Sequence, residues 1–99
     1  MTRPFNNLHH AFENRIRLGV MSALAVRESA EFIALREMLE ATDGNLATHL
    51  AVLERLKFIR VKKSFVGKKT STSYSITDAG RKAFSAHIDA LERLLKEMR

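Results

Sequence analysis

The sequence predicts a mainly α chain carrying one β-hairpin, in the order helix, helix, helix, hairpin, helix. Three observations lead there. Apolar residues recur at helical spacing through residues 8–55, the period falls to two between Ile59 and Ile76, and helical spacing returns from Asp78 to Met98. With 99 residues, 45% of them hydrophobic, the chain suits a single domain over 1–99 with its own core. The only proline is Pro4 and there are four glycines, so nothing reads as a linker.

The first helix is expected from Leu8 to Val26. Leu8, Phe12, Ile16, Val20 and Leu24 are each four apart, and Leu18 and Met21 add a second stripe. A helix apolar on more than one side is expected to meet a second chain as well as its own core. Ser29-Ala30-Glu31 punctuates, and Phe32, Leu35 and Leu39 mark a short second helix. Glu40-Ala41-Thr42 forms a turn, with Thr42 as N-cap of a third helix and Asp43 in its first turn, where the dipole favours an acid. Leu46, Leu50 and Leu53 form that helix's core stripe, and Asn45, Thr48, His49 and Val52 fall on or near the opposite face.

After Lys57, Ile59 and Val61 alternate with Arg60 and Lys62, and Phe65 resumes the apolar face. A turn over Val66–Ser71 with Gly67 to relax it leads into a strand from Thr72 to Ile76. Thr77-Asp78 caps the last helix, whose Phe84, Ile88, Leu91, Leu95 and Met98 follow 4-3-4-3 spacing, widened by Leu94. Gly80, early in this helix, implies close packing there. The seam outruns what a small core needs, so it is expected to pack beside the first helix of a second copy, with Phe12, Ile16, Ile88, Leu91, Leu95 and Met98 at the interface. Two short helices joined by a tight turn and followed by a basic hairpin make a winged helix–turn–helix.

Charge points to a partner. The formal net charge is +6, and the segment from Glu54 to Lys69 holds the whole excess: Arg55, Lys57, Arg60, Lys62, Lys63, Lys68 and Lys69 against Glu54 alone. A focused patch of this kind attracts a polyanion. In a winged helix the third helix enters the major groove and the hairpin tip lies on the backbone or minor groove. Asn45, Thr48 and His49 carry groups suited to base edges. Gly44 permits close approach of a phosphate to the helix N-terminus. Arg60, Lys62, Lys68 and Lys69, with Thr70 and Ser71 as neutral donors, suit backbone phosphates. Arg55 and Lys57 end the third helix, where cations also suit the dipole.

Asn45-Leu46-Ala47-Thr48-His49-Leu50 with Leu53-Glu54 resembles the recognition-helix signature of ArsR-like and MarR-like regulators. Thr42–Leu46, Lys63–Lys69 and Tyr74–Arg81, with Arg15–Leu18 and Met21–Leu24, resemble a compact MarR-related subfamily over nearly the whole chain. The resemblance implies a winged helix-turn-helix transcription regulator that dimerises through its first and last helices. A dimer in turn implies a pseudo-palindromic double-stranded DNA operator. Many relatives carry a glycine where this chain has Glu40-Ala41.

Other classes fit less well. No Gly-rich phosphate loop, GxSxG or HExxH motif supports an enzyme. With no cysteine there is no thiolate site, and His9, His10 and Glu13, or His87 with Asp89, make weak metal candidates, so no metal or cofactor is expected. No apolar run approaches a membrane span and Met1-Thr2-Arg3-Pro4 has no signal-peptide character, which fits a cytoplasmic protein with no membrane partner. The main alternative is a winged-helix module for protein–protein contact, which would display an apolar patch in place of polar residues on the third helix. Binding of structured RNA is disfavoured by the expectation that the hairpin displays no stacking aromatic. The sequence leaves open what effector, if any, acts on the protein.

Overall fold

The computed structural model describes residues 8–98. A single 3-10 turn, His10–Phe12, precedes α1 (Arg15–Ala25), β1 (Ala30–Glu31), α2 (Phe32–Leu39), α3 (Asp43–Arg55), β2 (Ile59–Val66), β3 (Lys69–Ile76) and α4 (Asp78–Glu97). The expected order stands, with three refinements. The first helix does not run unbroken from Leu8: Asn14 takes an extended conformation and its side chain accepts the N–H groups of Ile16 and Arg17, so α1 begins afresh. The hairpin is also longer than expected. Val66 pairs with Lys69, which places Lys69, Thr70 and Ser71 in β3 and leaves a two-residue turn of Gly67 and Lys68. Gly67 has φ 68°, as the first central position of a type II′ turn requires. Finally, Ala30 and Glu31 pair with Tyr74 and Ser73, so the sheet has three strands in the order β1-β3-β2.

One core joins these layers. Phe12, Val20, Met21, Leu24, Leu35, Leu46 and Leu53 are its largest fully buried side chains. Phe12, at 2% exposure, packs against Phe58 and Phe84 with centroids 5.7 and 5.3 Å away. This corrects the expectation for Phe12 and Ile16. Both are buried in the chain's own core, so neither presents a face to a second copy. Among the other interface candidates, Ile88 and Leu91 are half-buried, while Leu95 and Met98 are 59% and 80% exposed.

The start of α4 is fixed by backbone. Thr77 caps the helix through Gly80 N–H, and its hydroxyl donates to Lys57 O at 2.7 Å. Thr77 N–H donates to Phe58 O at 3.0 Å. Gly80 packs onto that same carbonyl, where an added Cβ would land directly on it. The close packing expected of Gly80 is therefore present, and Phe58 is the atom group that demands it.

His87 closes the aromatic cluster from α4. It is buried, and its Nδ1 accepts His9 N–H at 3.1 Å, so the ring proton sits on Nε2. Burial, with the neighbouring His9, holds the His87 pKa below the usual imidazole value, and Glu13 opposes this weakly. His9 Nδ1 in turn accepts Ala11 N–H, and His10 pairs with Glu13 at 2.8 Å. His9 thus ties the chain to α4 through its backbone, while His10 pairs locally with Glu13. Among the described residues, no helix is long and apolar enough to cross a membrane.

Two glycines separate tolerable from intolerable crowding. Gly80→Ala should lower stability by about 1–3 kcal/mol, because the new methyl meets backbone that cannot move aside. Gly19→Ala meets only the far end of the Leu39 side chain, so it should cost clearly less. Urea denaturation of both variants checks this; equal losses would contradict the packing at Phe58.

Candidate nucleic-acid interface

The unit formed by α2, its turn and α3 is held by its own caps and by α1. Glu40 adopts φ 49°, the left-handed conformation that favours glycine at the end of a helix. Ala41 N–H then donates to Arg36 O at 3.1 Å, and Thr42 Oγ1 accepts Asn45 N–H at 3.1 Å. The Arg15 guanidinium donates twice to Leu39 O, at 2.9 and 2.7 Å, which satisfies a carbonyl at the end of α2. Arg36 pairs with Asp43 at 2.7 Å, which offsets the acid at the α3 N-terminus.

The exposed face of α3 differs from the one expected. Gly44, Asn45, Ala47, Thr48, Ala51 and Arg55 are exposed, whereas His49 and Val52 are half-buried. The outward row therefore runs Gly44–Ala47–Thr48–Ala51–Arg55, with Asn45 at its N-terminal edge. Small side chains let a helix approach a surface closely, and alanine and threonine methyls match the thymine methyl in a major groove. Nothing lies within 4 Å of a Cβ built on Gly44, so the fold itself makes no demand for glycine there. Thr48 donates its hydroxyl proton to Gly44 O at 2.9 Å, which leaves its lone pairs and methyl for a partner.

His49 is engaged from within. Arg17 donates to His49 Nδ1 at 2.9 Å and to Ala11 O at 2.7 Å. Arginine has no acceptor, so the histidine must be neutral with its proton on Nε2. Desolvation, then the Arg17 charge, holds its pKa below the usual imidazole value. Of the three residues expected to share one face, Asn45 and Thr48 lie free on it, while His49 also braces α3 against α1.

The hairpin divides its cations between two faces. Arg60, Lys62 and Ser64 pair with Ser75, Ser73 and Ser71, while Val61, Lys63 and Phe65 pair with Tyr74, Thr72 and Thr70. Alternation puts these sets on opposite sides. Ala47, Ala51, Glu54, Val61, Lys63 and Thr72 line an open groove between α3 and the sheet. Lys63 thus belongs to the α3 side, whereas Arg60 and Lys62 face away from it. The same parity was legible in the sequence, where Lys63 falls on the Ile59 and Val61 face. Lys68 is in the turn and Lys69 at the start of β3, both exposed. Ala47, Ala51 and Lys63 are the residues that the sequence alone did not single out. A helical row in steps of three and four from Gly44, through Ala47, Thr48 and Ala51, would have found the two alanines.

Residues 16–95 match the model of the winged helix DNA-binding domain family. An uncharacterized protein of Methanocaldococcus jannaschii is 37% identical over 87 residues, spanning 88% of this chain and 95% of its own. The solved structure of a transcriptional regulator homologue from Pyrococcus horikoshii is similar with TM-score 0.83 at 30% identity, covering 90% of this chain and 88% of that one. The S. aureus MepR–DNA complex matches with TM-score 0.75 over 95% of this chain and 77% of that one, where 14% identity makes it a likeness of fold.

The Arg17–His49 contact gives a stability test. His49→Ala should cost about 1 kcal/mol by leaving the guanidinium without its acceptor, and His49→Gln should recover part of that loss. Asn45→Ala and Thr48→Ala should stay within about 0.5 kcal/mol of the parent, as surface changes do. Thermal melts followed by circular dichroism measure all four, and an unaltered His49→Ala would contradict the bracing role.

Proposed function

Because the chain belongs to the winged helix DNA-binding domain family, we propose that it is a cytoplasmic transcription regulator that binds double-stranded DNA sequence-specifically as a homodimer. Its α3 enters the major groove and its hairpin lies along the backbone toward the minor groove. The observation that carries this reading is the pairing of an exposed, small and polar α3 face with uncovered lysines on the adjoining hairpin. A face of that kind suits close approach to base edges and offers little to an apolar protein partner.

Roles follow from position. Asn45 pairs with a base edge, Thr48 and the methyls of Ala47 and Ala51 meet thymine methyls, and His49 Nε2–H is a fixed donor. Gly44 admits a phosphate to the helix N-terminus. Lys68, Lys69, Thr70 and Ser71 hold phosphates near the hairpin tip, joined by Lys63 from the α3 side. Arg60 and Lys62, on the far face, supply longer-range attraction.

Dimerisation rests on α4. Its buried residues end at Ala90, yet the helix continues to Glu97 with Leu91, Leu94, Leu95 and Met98 beyond them. The radius of gyration of 14.9 Å exceeds the roughly 13 Å of a compact chain this long, in keeping with elements that reach for a partner. Two copies joined along these seams, with Ile88 at the base, would read a pseudo-palindrome with half-sites roughly 34 Å apart or a multiple of it.

Selection of bound fragments from genomic DNA should yield such a site. Asn45→Ala and Thr48→Ala should each lose about 1–3 kcal/mol of preference for it. Lys68→Ala/Lys69→Ala should weaken specific and random duplex alike and reduce the salt slope by up to about 2. Leu91→Arg/Leu95→Arg should sediment as a monomer where the parent sediments as a dimer. Selection that returns no common sequence, or a parent that is monomeric at micromolar concentration, would overturn the respective half of the reading.

A further inference from the structure

The expectation that the hairpin displays no aromatic ring is overturned: Phe65 is 77% exposed, and the adjoining Val66 is 70% exposed. We propose that Phe65 is an apolar wedge for the minor groove of duplex DNA, set among the lysines of the hairpin tip. The proposal rests on the DNA-binding reading above and adds to it a contact that is not electrostatic.

Position comes first. Phe65 pairs with Thr70 and shares its sheet face with Val61, Lys63, Thr72 and Tyr74. That face borders the groove against α3, so the ring lies on the α3 side of the sheet, two residues further out than Lys63. One more pair, Val66 with Lys69, separates it from the two-residue turn, which makes a narrow tip with backbone geometry held by the ladder.

Charge selects the occupant. No acidic residue stands between Glu54 and Asp78, and Lys63, Lys68 and Lys69 surround the ring in sequence. A partner that covers Phe65 must therefore combine negative charge with an apolar surface. The minor groove does so, with phosphates at its rim and deoxyribose and base edges within, and apolar side chains are known to enter it between base steps. Structured RNA and an anionic lipid surface offer related chemistry, but neither makes use of α3 on the same side.

The chain has no tryptophan, so Phe65→Trp places a sole indole at the tip. On addition of a duplex carrying the selected site with A·T-rich flanks, its emission should be quenched and its accessibility to acrylamide should fall. Phe65→Ala should bind that duplex roughly tenfold more weakly with an unchanged salt slope, because a phenyl ring neutralises no phosphate. Phe65→Leu should retain most of the affinity. Anisotropy of the fluorescein-labelled duplex measures binding independently. If the duplex binds but the indole stays open to acrylamide, or Phe65→Ala binds like the parent, the wedge is wrong while the DNA-binding reading stands. If the parent binds no duplex, both fall. Protection by hairpin RNA or phosphatidylglycerol vesicles, and not by duplex, would also overturn the proposal.

Discussion

Everything that α3 can do depends on how the end of α2 sits against α1. Gly19 leaves room for Leu39 to lie directly on the α1 backbone. One turn earlier on the same side of α1, Arg15 takes the Leu39 carbonyl with both guanidinium nitrogens. The apolar end and the polar end of one residue are thus held by one helix face. The left-handed Glu40 then reverses the chain, and Thr42 starts α3 in a direction set by that anchorage. Arg17 adds a second brace by reaching His49 on α3 itself. A surface presented for recognition has to be held to within a fraction of an ångström. Here the placing of α3 comes from α1.

The hairpin is organised by a different constraint, the twofold alternation of its strands. Alternation places Val61 and Tyr74 on the core, and by the same parity sends Lys63 and Phe65 to the side that adjoins α3. Arg60 and Lys62 go to the other face with a row of serines. A positive segment that looks uniform in sequence is therefore two surfaces. One borders the groove beside α3, and the other contributes mainly to the field around the molecule.

Much of this was legible from residue spacing. The leucines of α3, the caps at Thr42 and Thr77, and the order of elements follow from local rules, because each depends on neighbours within one or two turns. Two misreadings were local, the fresh start of α1 at the Asn14 cap and the tight turn at Gly67-Lys68, and the others involved contacts distant in sequence. Phe12 and Ile16 looked surplus to a small core until Phe58 and Phe84 filled the space around Phe12. Ala30 and Glu31 form a strand only because Tyr74 and Ser73 lie beside them. His49 was placed on the correct side of α3 but not at its half-buried edge, because Arg17 comes from 32 residues away. Phe65 was assigned to an apolar face on correct parity; what sequence could not convey is that the core ends before the strand does.

In the function proposed above, the α3 face and the hairpin tip engage one duplex together. Amide chemical shifts of the isotope-labelled protein, followed while the selected duplex is added, test this most directly. The largest changes are expected over residues 43–51 and 63–71. Amides on the outer side of α4, around Ser85 and Asp89, should hold their positions. Changes confined to α4, or to the hairpin with α3 silent, would contradict it.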